Sequence, residues 1–115
     1  MGFLIEERER KGKVVIVELS GRLTMGDGSS SVEEFLQGLV AQGNRAVLLD
    51  MAGVPLMDSR GIKAIVYGYT SLRNRGGQLK LLNLTPRVRQ VLDYTHLLTV
   101  FEVFDDEEAA VKSFS

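Results

Sequence analysis

The amino-acid sequence predicts an α/β fold in one domain spanning residues 1–115. It should hold a mixed, mainly parallel sheet of about five strands, an antiparallel hairpin at the start and about four helices. Three observations lead there. Short apolar runs such as Ala46-Val47-Leu48-Leu49 read as buried strands. Between them lie segments whose apolar residues recur at helical spacing, as Ile62, Ile65, Val66, Tyr69 and Leu72 do. Glycine and asparagine mark the breaks, and such alternation gives a sheet of mostly parallel strands with right-handed crossovers. A chain of 115 residues removes roughly two-thirds of its unfolded surface from water on folding, enough for one core.

Phe3 to Arg8 and Val14 to Leu19 flank Lys11-Gly12-Lys13, a turn suited to joining two antiparallel strands. Gly21 to Gly28 is too rich in glycine for regular structure. Ser30 with Glu33 three residues later reads as a capping box, and Val32, Phe35, Leu36, Leu39 and Val40 supply the buried stripe of the helix that follows. Gln42-Gly43-Asn44 stops that helix before the buried strand at residues 46 to 51. A second helix begins near Ser59 and stops at Asn74-Arg75-Gly76-Gly77; a strand follows from Leu79 to Leu84. Thr85-Pro86 starts a third helix with proline at its first position, and Val88, Val91 and Leu92 line its inner side. Leu98 to Phe104 reads as the last strand, and Asp105 with Glu108 as the start of a final helix anchored by Ala109, Val111 and Phe114.

Composition excludes several chemistries. The chain has no cysteine and a single histidine, His96, so neither a disulfide nor the usual zinc ligand sets can be assembled, and no metal or other cofactor is expected. A net charge of −1 and a pI near 5.8 give no overall pull toward nucleic acid or an anionic membrane. Basic residues from Arg73 to Arg89 and acidic ones from Glu102 to Glu108 are segregated along the chain, a pattern read as a solvated surface. The start, Met1-Gly2-Phe3-Leu4-Ile5-Glu6-Glu7, resembles no signal peptide, and no apolar run is long enough to cross a bilayer, so a cytoplasmic location is expected.

Function concentrates where one buried strand gives way to the second helix, at Val54-Pro55-Leu56-Met57-Asp58-Ser59-Arg60-Gly61. Ser59 falls in the first helical turn, where backbone N–H groups lack intrahelical partners, and a phosphoryl group there would meet unpaired donors and a favourable dipole. Open α/β sheets present ligands and partners to the loops at the carboxyl ends of their strands. Thr24, Asp27, Ser59 and Thr85 should therefore share one rim, with Met25, Met57 and Ile62 adding an apolar contribution. A simpler use of Ser59 is helix capping, with Asp58 favouring the dipole, and Gly61 reads most simply as a close-packing glycine. A serine hydrolase is disfavoured: position 57 is methionine where the nucleophile elbow needs glycine, and His96 is distant in sequence. Gly26-Asp27-Gly28 lacks the lysine of a phosphate-binding loop.

Taken together, Gly21-Arg22-Leu23-Thr24, the run from Leu48 to Val54 leading into Met57-Asp58-Ser59-Arg60-Gly61, and Leu79 to Leu84 resemble the STAS domain, specifically the bacterial anti-sigma factor antagonists. The resemblance covers essentially the whole chain. It implies a STAS-like single domain and a partner switch. The unmodified protein binds an anti-sigma factor that is also a serine kinase; phosphorylation of the serine after the aspartate ends the association, and a phosphatase would reset it. Ser59 matches that serine and Asp58 that aspartate. Arg60 departs from the pattern, which has serine or threonine before the glycine. The implied partner-binding set is Asp58, Arg60, Gly61, Thr24, Met25, Asp27, Met57 and Ile62. A ligand-sensing or scaffold domain of the same architecture, unphosphorylated at Ser59, stays open as the alternative, and the oligomeric state is not implied.

Overall fold

The computed structural model describes residues 3–26 and 28–114. The elements run β1 (Leu4–Lys11), β2 (Val14–Ser20), α1 (Ser29–Ala41), β3 (Ala46–Gly53), α2 (Ser59–Asn74), β4 (Gln78–Leu82), α3 (Pro86–Tyr94), β5 (Val103–Phe104) and α4 (Glu107–Lys112). One five-stranded sheet holds them in the order β1-β2-β3-β4-β5. β1 is antiparallel to β2 and every other neighbouring pair is parallel. The expected architecture is therefore present, hairpin included.

A sheet that grows in one direction through crossovers of one hand places its connecting helices on one side. The core agrees: Val15, Val17, Leu19, Val47, Leu49, Leu79 and Leu81 of the strands pack with Val32 and Leu36 of α1, Ile65 and Leu72 of α2 and Val88 and Leu92 of α3. The alternate strand residues Val14, Ile16, Leu48 and Leu82 face the other way and meet Ala110, Val111 and Phe114, from α4 and the residues after it. Both faces of the central strands are thus apolar, as buried parallel strands require.

Charged groups hold α4 against that second face. β1 carries a bulge between Glu7 and Glu9, which leaves Arg8 outside the regular register. Arg8 Nη2 donates to Asp50 at 3.0 Å and to Glu107 at 2.9 Å, and Lys11 Nζ donates to Glu107 at 2.8 Å. Arg8 Nε lies 3.3 Å from Glu18, an ion pair without hydrogen-bond geometry. Lys80, almost fully buried, donates to the carbonyl and hydroxyl of Ser113, both at 2.9 Å, and sits 4.7 Å from the Phe114 ring centroid.

Several expected boundaries move. Gly28, not Ser30, is the N-cap of α1, and no side chain caps the helix. Gly28 has φ of 83°, a Cβ there would lie 2.5 Å from the Phe3 ring, and its carbonyl accepts from Val32 N, so the first turn closes before Ser30 can act. The strand expected from Leu98 to Phe104 shrinks to Val103–Phe104. His96 at φ of 62° ends α3, and the amides of Leu97 and Leu98 return to the Leu92 carbonyl, which turns Leu97, Leu98 and Phe101 onto the core. The last helix is capped by Asp106, which accepts from Ala109 N at 2.9 Å, one residue later than expected. Among the described residues no helix is long and apolar enough to cross a membrane, and no group of metal-ligating side chains converges.

Candidate functional site

Because β2, β3 and β4 are neighbours in that order, the loops at their carboxyl ends meet on one rim. Leu23 N donates to the Leu56 carbonyl at 3.1 Å, Asp58 N to the Leu23 carbonyl at 3.3 Å, and Leu23 and Met57 form an isolated parallel bridge. Thr85 Oγ1 donates to the Val54 carbonyl at 2.6 Å, tying the third loop to the second. Thr24, Ser59 and Thr85 are thereby brought to the shared rim; Asp27 lies outside the described residues.

Asp58 is the N-cap of α2. Its Oδ1 accepts from the amides of Arg60 at 2.9 Å and Gly61 at 3.1 Å, and its Oδ2 accepts from Met25 N at 3.0 Å. Burial alone would raise this carboxyl, but the amides of Met25, Gly61 and Arg60 outweigh it and hold Asp58 below the ordinary carboxylate range. Asp58 is ionised at neutral pH without any cation, held by backbone dipoles.

Capping belongs to Asp58, so Ser59 is left at the first helical position with its side chain exposed and without a hydrogen bond to a described residue. The expectation that a phosphoryl group on Ser59 would find open amide donors is corrected here: Arg60 and Gly61 N–H are already taken by Asp58. Arg60 is exposed beside Ser59. Met25, held by its amide, leaves 69% of its surface in solvent, so its side chain projects from the rim.

Two expected apolar contributors sit differently. Met57 is only 5% exposed and belongs to the core, because its backbone pairs with Leu23 and turns its side chain inward. Ile62 is half-buried and packs on the same core, showing the rim one side only. Thr24 is half-buried and bridges Gly28.

Gly61 behaves as a close-packing glycine. A Cβ there would collide with the Leu23 carbonyl oxygen and lie 2.7 Å from the Met57 side chain. The sequence reading missed the part played by Leu23, whose backbone joins the β2–α1 loop to the start of α2. A glycine in the first turn of a helix is the one signal that a second backbone approaches. His96 is exposed at the end of α3, as a surface or helix-end histidine.

Comparison with known proteins agrees with this geometry. The family model of the STAS domain matches residues 7–110. The chain is 31% identical over 86 residues to BtrV of Bordetella bronchiseptica, described as a candidate anti-sigma factor antagonist, with 75% of this chain and 74% of BtrV covered. It is 25% identical over 111 residues to an anti-sigma F factor antagonist of Paenibacillus polymyxa, covering 96% and 94% of the two chains. The fold of an anti-sigma factor antagonist of Mycobacterium paratuberculosis superposes with a TM-score of 0.82 at 21% identity, covering 97% and 92%. The chain belongs to the STAS domain family.

Proposed function

We propose that this protein is an anti-sigma factor antagonist, a partner-switching regulator of transcription that acts in the cytoplasm and performs no catalysis. Its partner is an anti-sigma factor with serine kinase activity, and Ser59 is the acceptor whose phosphorylation ends the association. One observation carries the reading: Ser59 is an exposed hydroxyl at the start of α2, beside a carboxylate already satisfied by three amides. The names of the curated relatives support the same role.

The switch needs no refolding. Phosphorylation adds about −1.5 to −2 charges at neutral pH. Asp58 is held ionised next door, and the amides of Arg60 and Gly61 are occupied, so the new charge stays at the rim where the partner docks. Concentrated like charge in an interface costs several kcal/mol, which is ample for a switch. In the unphosphorylated state the projecting Met25, the exposed Arg60, Thr24 and the visible side of Ile62 form the docking surface together with Asp58, with Asp27 joining them by the family resemblance, while the buried Gly61 lets the neighbouring loop close beneath it. Met57 supports that surface from below. A phosphatase restores it.

Binding of the cognate anti-sigma kinase tests the proposal. Ser59→Ala should keep wild-type affinity and Ser59→Glu should lower it about tenfold or more. Equal affinities would sink it. Incubation with ATP and the kinase, followed by mass spectrometry, should place phosphate on Ser59, and Arg60→Ser should change the rate because residue 60 adjoins the acceptor. If no kinase of the same genome modifies Ser59, the domain is an unphosphorylated scaffold instead.

A further inference from the structure

We propose that the depression at the amino ends of the parallel strands, at the far end of the sheet from Ser59, binds a small anionic amphiphile: a carboxylate head on a short alkyl body. Val14 at the start of β2, Ala46 at the start of β3, and Val111 and Phe114 form its apolar floor, in a cavity of about 460 Å³. Ligand pockets typically enclose about 300–1,000 Å³. It continues past Lys13, Ala46 and Phe114 into a second depression of about 620 Å³ that reaches Arg45.

Charge selects the occupant. No aspartate or glutamate lines either depression among the described residues, whereas Lys13 lines both and Arg45 the second. Of the other cations at the rim, Lys11 and Arg10 are paired with Glu107 and Glu7, and Lys112 also lines the first depression. Lys13 and Arg45 have no carboxylate partner among the described residues. Both hydrogen bonds of Arg45 leave from Nη1, to the carbonyls of Val40 at 3.2 Å and Asn44 at 2.8 Å, so its Nη2 and Nε face no described acceptor.

An alkyl body leaves water on Val14, Ala46, Val111 and Phe114, and a carboxylate meets Lys13 and Arg45; the nearby Glu7 and Glu107 are each neutralised by a cation of the rim. A neutral alkyl chain gains only the first contribution and a small anion only the second. β3 separates the depression from the rim by about 23 Å at about 3.3 Å per residue, so an occupant leaves Ser59 open. The site therefore stands or falls independently of the partner switch.

A titration of the full chain followed by NMR tests this, with octanoate below its micelle concentration as the probe and octanol and acetate as comparison arms. Octanoate should saturably shift Val14, Ala46, Val111 and Phe114, with octanol and acetate each about tenfold weaker. Lys13→Glu combined with Arg45→Glu should weaken octanoate about tenfold and leave octanol unchanged. Should the double variant not fold, Lys13→Glu alone, at an exposed turn, should cost octanoate about threefold. The proposal is overturned by equal octanoate and octanol affinities, which would indicate a bare apolar patch. Shifts that spread to the rim or core, no shifts at all, or octanoate affinity indifferent to Lys13 overturn it equally.

Discussion

Asp58 and Glu107 each fasten a helix to the sheet, and they do so with different partners. Asp58 joins α2 to the β2–α1 loop through three backbone amides and no cation. Glu107 joins α4 to β1 through the side chains of Arg8 and Lys11. Each carboxyl is held below the ordinary carboxylate range. For Glu107 the hydrogen bonds from Arg8 and then Lys11 dominate; for Asp58 backbone amides overcome its desolvation. Fixed amides are pre-organised by the fold and little affected by salt, whereas ion pairs between long side chains at a partly exposed site are screened. The proposed switch region thus rests on the more rigid of the two fastenings, which suits a rim that must present one shape.

Breaking each fastening at its most crowded point should have the largest effect. Gly61→Val forces a side chain against the Leu23 carbonyl and Met57, and should cost about 3 kcal/mol in chemical denaturation while abolishing partner binding. On the opposite face, Arg8→Met takes the cation from the buried Asp50 carboxylate, which keeps only Ala52 N and Asn83 as donors, and leaves Glu107 to Lys11 alone. It should cost about 2 kcal/mol, recovered in part when Asp50→Asn is added. A loss no larger than that of a surface substitution would show that α4 is held by apolar contact alone.

Asp58→Ala removes the cap and should cost about 1 kcal/mol, with faster amide hydrogen exchange at Met25 and none at α4. Acidification separates the fastenings less sharply. A carboxyl whose folded pKa is depressed contributes stability above its unfolded value, and this is lost as pH falls through the folded value. Protection of the Met25 and α4 amides, taken relative to the intrinsic exchange rate at each pH, should therefore fall only below the ordinary carboxylate range and stay flat through neutrality. The smallest effect is that of salt. High sodium chloride should speed exchange in α4 about twofold and leave Met25 unchanged. Equal responses would mean that the two fastenings do not differ in kind.

Local pattern made much of this legible. Pro86 after Thr85 starts α3, Gly43 and Gly76 end α1 and α2, and the apolar runs of β2, β3 and β4 stand where periodicity put them. Ser59 falls in the first turn of α2 because the change from strand to helical spacing marks that boundary. Legibility failed where a residue's role depends on a distant one. Ser30 and Glu33 form a valid capping pattern, yet Gly28 caps α1 against Phe3 from another part of the chain. Leu98 to Val100 have strand-like side chains, but the turn at His96 folds this segment over the core.

The order of elements, the parallel sheet with its leading hairpin, and the acid and hydroxyl at the start of α2 could all be read along the chain, because they follow from periodicity and from glycine and proline within a few residues. Folding in three dimensions settles which of the pair is the cap and which is free, that Met57 turns inward while Met25 projects, and that Arg8 gathers Asp50 and Glu107. Those outcomes depend on backbones and charges far apart in the chain, and only their packing in space brings them within hydrogen-bonding reach.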